Sequence, residues 1–139
     1  MASIMAPGEN KPLPIWLTFV VCDDVIKDAT TGKASLMGIF ANVNATKFPA
    51  VHPKLCVYFE LTDGRGSTPI EVVIVQEPDD KELGRLSMTF DFTDPQAVLA
   101  GVIQIGSVVF PVEGEYRFQL HAHGTPLVER RIIAKKVEP

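Results

Sequence analysis

Apolar and polar side chains alternate with a period of two along much of this chain, and this pattern constrains the fold most. Residues 86–92 show it most clearly, and residues 55–61 and 116–122 follow the same rule. Successive side chains of a β-strand point to opposite faces, so this period predicts strands with one buried and one solvent-facing side.

Turn-forming residues separate the alternating segments. Asp63-Gly64-Arg65-Gly66 closes one strand and Gly124-Thr125-Pro126 leads into the last. Connections this short favour antiparallel pairing, because parallel strands need long crossovers. Asp94-Pro95 is suited to start a single short helical turn. The chain is therefore predicted to be all-β, an antiparallel immunoglobulin-like β-sandwich of about eight strands.

The first strand sets the predicted domain boundary. Residues 1–14 contain three prolines and are predicted to be a flexible N-terminal arm, which leaves residues 15–139 as a single β-sandwich domain. The apolar run of residues 15–22 has the outline of a lipoprotein signal, but Val21 stands before Cys22 where a small residue is expected. The run is also too short to cross a bilayer, so we interpret it as a core strand.

Charge and thiol content narrow the expected partners. The formal net charge is −4 and the lysines and arginines form no stripe before the small basic tail of residues 130–136, so no nucleic-acid partner is expected. No membrane partner and no cofactor are expected either. Cys22 and Cys56 lie in apolar runs, where thiols behave as small buried hydrophobes. Two unpaired thiols suit a reducing compartment, and we therefore expect a cytoplasmic location.

The segment Cys22-Asp23-Asp24-Val25, together with residues 32–40 (GKASLMGIF), resembles the opening of a family of short bacterial proteins without an assigned function. Phe48-Pro49 matches a Phe-Pro connection of the same family. The resemblance is closest over the first third of the chain. It implies a bacterial origin and an immunoglobulin-like sandwich, and it supplies no catalytic residues.

His121 and His123 form a His-x-His pair on a predicted strand. Alternation places both imidazoles on one face, where they could share a metal ion such as zinc. Further ligands would have to come from Glu113 or Glu129, because His52 lies in a distant loop. The simpler interpretation is that both histidines continue a polar outer face.

Acidic residues suggest two other kinds of site. Asp23, Asp24, Asp79 and Asp80 lie near strand ends, as in calcium-regulated C2-like modules, but they form no Asp-x-Asp pair. A nucleophilic role for Cys22 is disfavoured, because neighbouring carboxylates raise the pKa of a thiol. The glycine-rich turn at residues 63–66 lacks the spacing of a phosphate-binding loop and is predicted to be a hairpin turn.

No complete catalytic set stands out, so we expect a non-enzymatic binding or structural module. The alternatives are a metal-binding protein that uses His121 and His123 and a calcium-regulated surface module that uses the acidic loops. Glu129-Arg130-Arg131 breaks the alternation and predicts an edge strand or a bulge. Because exposed sheet edges invite pairing, homo-oligomer formation through these edges is a further hypothesis.

Overall fold

The computed structural model describes residues 12–139, which form eleven strands in two packed sheets and one small two-stranded sheet. One sheet has the order β2-β1-β5-β8, the other has the order β3-β11-β10-β6-β7, and β4 pairs with β9. The strands are β1 Ile15–Lys27, β2 Ala34–Ile39, β3 Asn42–Ala45, β4 Ala50–His52, β5 Leu55–Thr62, β6 Gly66–Gln76, β7 Lys81–Phe92, β8 Leu99–Ile105, β9 Val108–Phe110, β10 Gly114–Ala122 and β11 Thr125–Lys136.

This architecture confirms the predicted all-β antiparallel sandwich, with one exception in the pairing, because β3 lies parallel to β11. Eight of the strands have six or more residues, and the three shorter ones are β3, β4 and β9. The helical turn expected at Asp94 is a single tight turn, in which the Asp94 carboxylate accepts the amide of Gln96 at 3.0 Å. The residues of the predicted flexible arm up to Lys11 lie outside the described part of the chain.

The alternating residues form the core between the two sheets. One side of β5, β6 and β10 is almost fully buried, and its largest members include Phe59, Ile70 and Phe118. The strand with the clearest pattern, β7, is an edge strand of the larger sheet. Its inward-facing Met88 is 44% exposed, because only four strands of the other sheet lie opposite five of this one.

The first residues of β1 are more exposed than expected of the core strand predicted at residues 15–22. Residues from Phe19 to Cys22 are buried or half-buried, whereas Ile15, Trp16 and Leu17 are exposed. The reason is the pairing of β1, which has β5 along its first half but meets β2 only from Cys22 onward.

A buried tyrosine anchors the connection into β10. Tyr116 is fully buried, and its hydroxyl donates to the carbonyl oxygen of Val112 at 2.6 Å and accepts the Val112 amide at 3.2 Å. The ring meets Phe110 edge to face, with 4.9 Å between the centroids. Such a tyrosine corner is a hallmark of immunoglobulin-type sandwiches, so the structure carries an immunoglobulin-like feature that the pattern alone did not identify.

We expect Tyr116→Phe to keep the fold and to lower the free energy of unfolding by about 1–2 kcal/mol, because both backbone groups of Val112 lose their hydroxyl partner. Chemical denaturation would measure this. Tyr58→Phe is the matched control, since the Tyr58 hydroxyl donates to the half-buried Glu60, which also accepts from Thr18. Equal losses for the two variants would contradict a special role for Tyr116.

Candidate functional site

The two histidines of the predicted pair lie in different local structures, His121 in β10 and His123 in the turn that follows it. His121 lies on the outer face of β10, where it is 8% exposed. His123 lies beyond the end of β10, in a turn where its φ is 50° and its amide donates to the Pro69 carbonyl. β10 ends at Ala122 and its pairing with β11 shifts register between Leu120 and His121, so the regular alternation behind the predicted shared face stops before His123.

His121 belongs instead to a polar network on the outer face of the larger sheet. Its Nε2 lies 3.0 Å from the side-chain oxygen of Gln119, whereas the buried Nδ1 has no hydrogen-bond partner. The opposite residue on β6 is Glu71, whose carboxylate accepts from Arg85 and Ser87. Burial lowers the pKa of His121, and the charge of Arg85 lowers it further. His121 is thus a neutral, buried imidazole.

The acidic candidates do not converge. The Asp23 carboxylate lies 2.9 Å from His52 Nε2 and the Asp24 carboxylate lies 3.3 Å from Lys54 Nζ, so the two carboxylates have separate partners. Asp79 and Asp80 lie in the turn between β6 and β7. Within residues 12–139, no group of three or more His, Cys, Asp and Glu side chains is arranged to hold a metal ion.

A concavity lies between β1 of one sheet and β11 of the other. It has a volume of about 380 Å³ and we call it the β1–β11 groove. It is lined by Val20, Val21, Ile39, Phe40, Ala41, Arg130, Arg131 and Ile132. Its walls are mainly apolar, and the guanidinium of Arg130 provides its positive charge, because Arg131 points to the outer face, where it lies 3.7 Å from Glu115.

Arg130 is held in a fixed position at this groove. Its Nε donates to the backbone carbonyl of Phe19 at 2.7 Å, which joins β11 of one sheet to β1 of the other. Neither terminal nitrogen of Arg130 has a hydrogen bond or ion pair with any residue in the described range. A guanidinium presents its donors as a planar fork, so the two terminal nitrogens of Arg130 can donate to the two oxygens of one carboxylate.

Backbone groups line the groove as well. β3 pairs in parallel with β11 only from Ile133 to Lys136, so in the described chain the first half of β11 has no strand on that side. Across the groove, the carbonyl of Val21 accepts the amide of Phe40 at 3.4 Å. The groove therefore combines an unpaired strand edge, apolar walls and an anchored cation.

A tight corner holds the end of β2 and the residue after it, which contribute Ile39 and Phe40 to the groove. Gly38 has a φ of 68°, and a methyl group there would lie 2.9 Å from the carboxyl carbon of Asp23. Asp23 in turn contacts His52, whose ring lies 4.8 Å from that of Phe40. The signature residues of the first third of the chain thus pack against one another, which is a structural role.

Sequence reasoning missed this groove. The break of alternation at Glu129-Arg130-Arg131 did indicate an edge, and β11 does have an unpaired edge there. Nothing in the sequence pattern indicated that Arg130 would reach the backbone of Phe19, which is 111 residues away in the chain. No helix within residues 12–139 has the length and hydropathy needed to span a membrane.

Two comparisons with known proteins match most of the chain. The model of a family of unknown function (DUF6941) matches residues 17–135. No curated protein matches the sequence. Among solved structures, the chain is similar to an immunoglobulin-like protein from Pseudomonas aeruginosa, with 14% sequence identity and a TM-score of 0.44. That alignment covers 90% of this chain and 98% of the other.

The neutral state of His121 predicts a pH dependence of stability. The pKa of His121 in the folded protein lies below 6.5, the value for the unfolded chain. Below pH 6.5 the unfolded chain therefore binds more protons at this residue than the folded protein does. The contribution of His121 is complete above pH 6.5 and declines as the pH falls. We expect His121→Gln to flatten the loss of melting temperature between pH 7 and pH 5, as measured by thermal denaturation. Parallel curves for both proteins would contradict this.

A methyl group should cost more stability at Gly38 than at Gly32. Gly32→Ala places alanine at a φ of 73° in open space, so we expect only the backbone penalty, about 1 kcal/mol. Gly38→Ala adds the overlap with Asp23, and we expect a loss of at least about 2 kcal/mol. Urea denaturation of both variants measures the difference. A Gly38→Ala variant as stable as Gly32→Ala would show that Asp23 moves aside freely.

Proposed function

The chain belongs to this family of unknown function, so its relatives assign it no activity, and we propose from its geometry that it is a non-enzymatic protein-interaction module. Its ligand is an extended, acidic segment of a partner protein, which lies in the β1–β11 groove as an added strand. The observation that carries the proposal is the guanidinium of Arg130, fixed by the Phe19 carbonyl beside an unpaired strand edge.

The backbone supports this mode of binding. β3 already lies parallel to the end of β11, with Asn42 opposite Ile133. An extended segment placed in line with β3 would pair with the earlier residues of β11 and satisfy their outward amides and carbonyls. Strand addition of this kind derives affinity from main-chain hydrogen bonds and specificity from pockets for alternate side chains.

Charge and shape support an acidic segment. The inward side of β11 carries Arg130 two residues before the buried Ile132. A ligand strand with a carboxylate on its inward face, flanked at the next inward positions by apolar side chains, would match this order. The carboxylate would meet the terminal nitrogens of Arg130, and the apolar side chains would cover Ile39, which is 65% exposed.

A synthetic peptide tests the proposal directly. The probe is a capped heptapeptide, Thr-Val-Thr-Glu-Thr-Val-Thr, whose valines and glutamate share one face of a strand. We expect it to shift the backbone amide resonances of Leu127, Glu129 and Arg131 in NMR titrations. We expect Arg130→Gln to weaken binding roughly tenfold, since a hydrogen bond to a charged group is worth about 1.5–3 kcal/mol.

Two controls make the result specific. Lys135→Gln removes the same charge from the same strand outside the groove, and it should leave the affinity within about twofold, as expected of a solvated charge. A peptide with glutamine in place of glutamate should bind the native protein as weakly as the glutamate peptide binds the Arg130→Gln variant. Equal affinity for all proteins and peptides, or shifts confined to another surface, would overturn the proposal.

The occupant can be a second copy of the chain, and light scattering distinguishes this outcome. If the protein forms a concentration-dependent dimer that the heptapeptide dissociates, the ligand of the groove is a second copy of the chain, bound through the same edge, and not a partner protein. A monomer that binds the peptide supports the proposal as stated.

A further inference from the structure

The two cysteines are direct neighbours across two strands. Cys22 of β1 is the register partner of Cys56 of β5. Both have the opposite parity to core residues such as Val21 and Val57, so both thiols lie on the outer face of the smaller sheet. Both are free thiols, and the charge state of Cys56 affects that of Cys22. They are also the only cysteines in the chain.

The spacing of opposed residues suits a disulfide. In an antiparallel pair, the Cα atoms of such residues are about 4.5–5.5 Å apart. Disulfides connect Cα atoms about 4.4–6.8 Å apart. The register of β1 and β5 thus meets the first requirement for a bond between the two sulfurs without a rearrangement of the strands.

The hairpin of β1 and β2 covers both thiols, although they lie on an outer face. Cys22 is fully buried and Cys56 is 2% exposed. The Cys22 sulfur lies 3.5 Å from the Asp24 carbonyl, and the Val25 backbone hydrogen-bonds the Cys56 sulfur. Farther along, Lys27 and Lys33 line a cavity of about 430 Å³ together with Tyr58 of β5, so the hairpin stands over the outer face of the sheet.

The covering hairpin is weakly held. Five of the six residues of β2 are exposed, so this hairpin buries little apolar surface, and such elements open locally at low cost in free energy. While the hairpin is closed, burial raises the pKa of both thiols and keeps them protonated. Reaction of the thiols therefore requires the hairpin to lift.

We infer that Cys22 and Cys56 form a redox-active dithiol that a small-molecule disulfide oxidises when the hairpin lifts. The thiolate of one cysteine attacks the disulfide and forms a mixed disulfide, and one small-molecule thiolate leaves. The second cysteine, deprotonated by solvent, attacks the protein sulfur of this mixed disulfide, and the other small-molecule thiolate leaves. One disulfide is reduced to two thiols, and one Cys22–Cys56 bond forms.

Oxidised glutathione is the probe, applied to the native full-length chain. We expect both thiols to disappear together in a thiol assay and the monomer to lose two hydrogens by intact mass spectrometry. The oxidised protein should melt several degrees higher, because the new bond closes a long loop in the unfolded chain. Dithiothreitol should reverse all three changes.

Three variants make the inference falsifiable. Cys22→Ser and Cys56→Ser should each stop at a mixed disulfide with glutathione. Gly38→Ala, which disturbs the hairpin, should oxidise several-fold faster than the native protein, whereas an unchanged rate would contradict gating by the hairpin. Thiols that react only in denaturant would show that the pair is inert, and a disulfide-linked dimer would show that the bond is intermolecular. Either result would overturn the inference.

Discussion

Burial of one face of β5, β6 and β10 between the two sheets is the constraint on which the rest of the structure depends. These strands occupy inner positions of their sheets, and their inward side chains are almost fully excluded from water. A slip by one residue would bring the opposite, more polar set to the core, so burial fixes the register of each strand against both neighbours. The hydroxyl of Tyr116 then fixes the entry into β10 by satisfying the backbone of Val112.

The periphery of the sandwich is less completely paired, and the candidate sites follow from this. The pairing of β1 with β5 ends at Cys22, and β1 continues as a hairpin with β2 alone. β3 reaches only the end of β11. Between these two departures lies the β1–β11 groove, where Arg130 bridges the sheets through the Phe19 carbonyl. The same path of the chain thus produces an open edge on one side of β1 and a covered pair of thiols on its outer face.

The polar outer face of the larger sheet shows where residue patterns mislead. The His-x-His sequence suggested a shared metal site, but β10 ends between the two histidines, and His121 lies in register with Glu71, which accepts from Arg85. Asp23 and Asp24 likewise have separate partners, which are His52 and Lys54. The histidine motif predicted proximity from spacing along a regular strand, and the end of β10 removed that regularity.

The sequence by itself determined the class of fold. The alternation in residues 55–61 and 116–122 identified strands and their buried faces, because side-chain direction in a strand depends only on position along the chain. It also indicated that the cysteines would be buried, and it located an edge near Arg130. The tertiary structure alone decided how deeply β7 is buried, which residues face across the groove and that Cys22 lies opposite Cys56. These features depend on contacts between residues far apart in the chain, and a local pattern contains no information about which distant strand will become the neighbour.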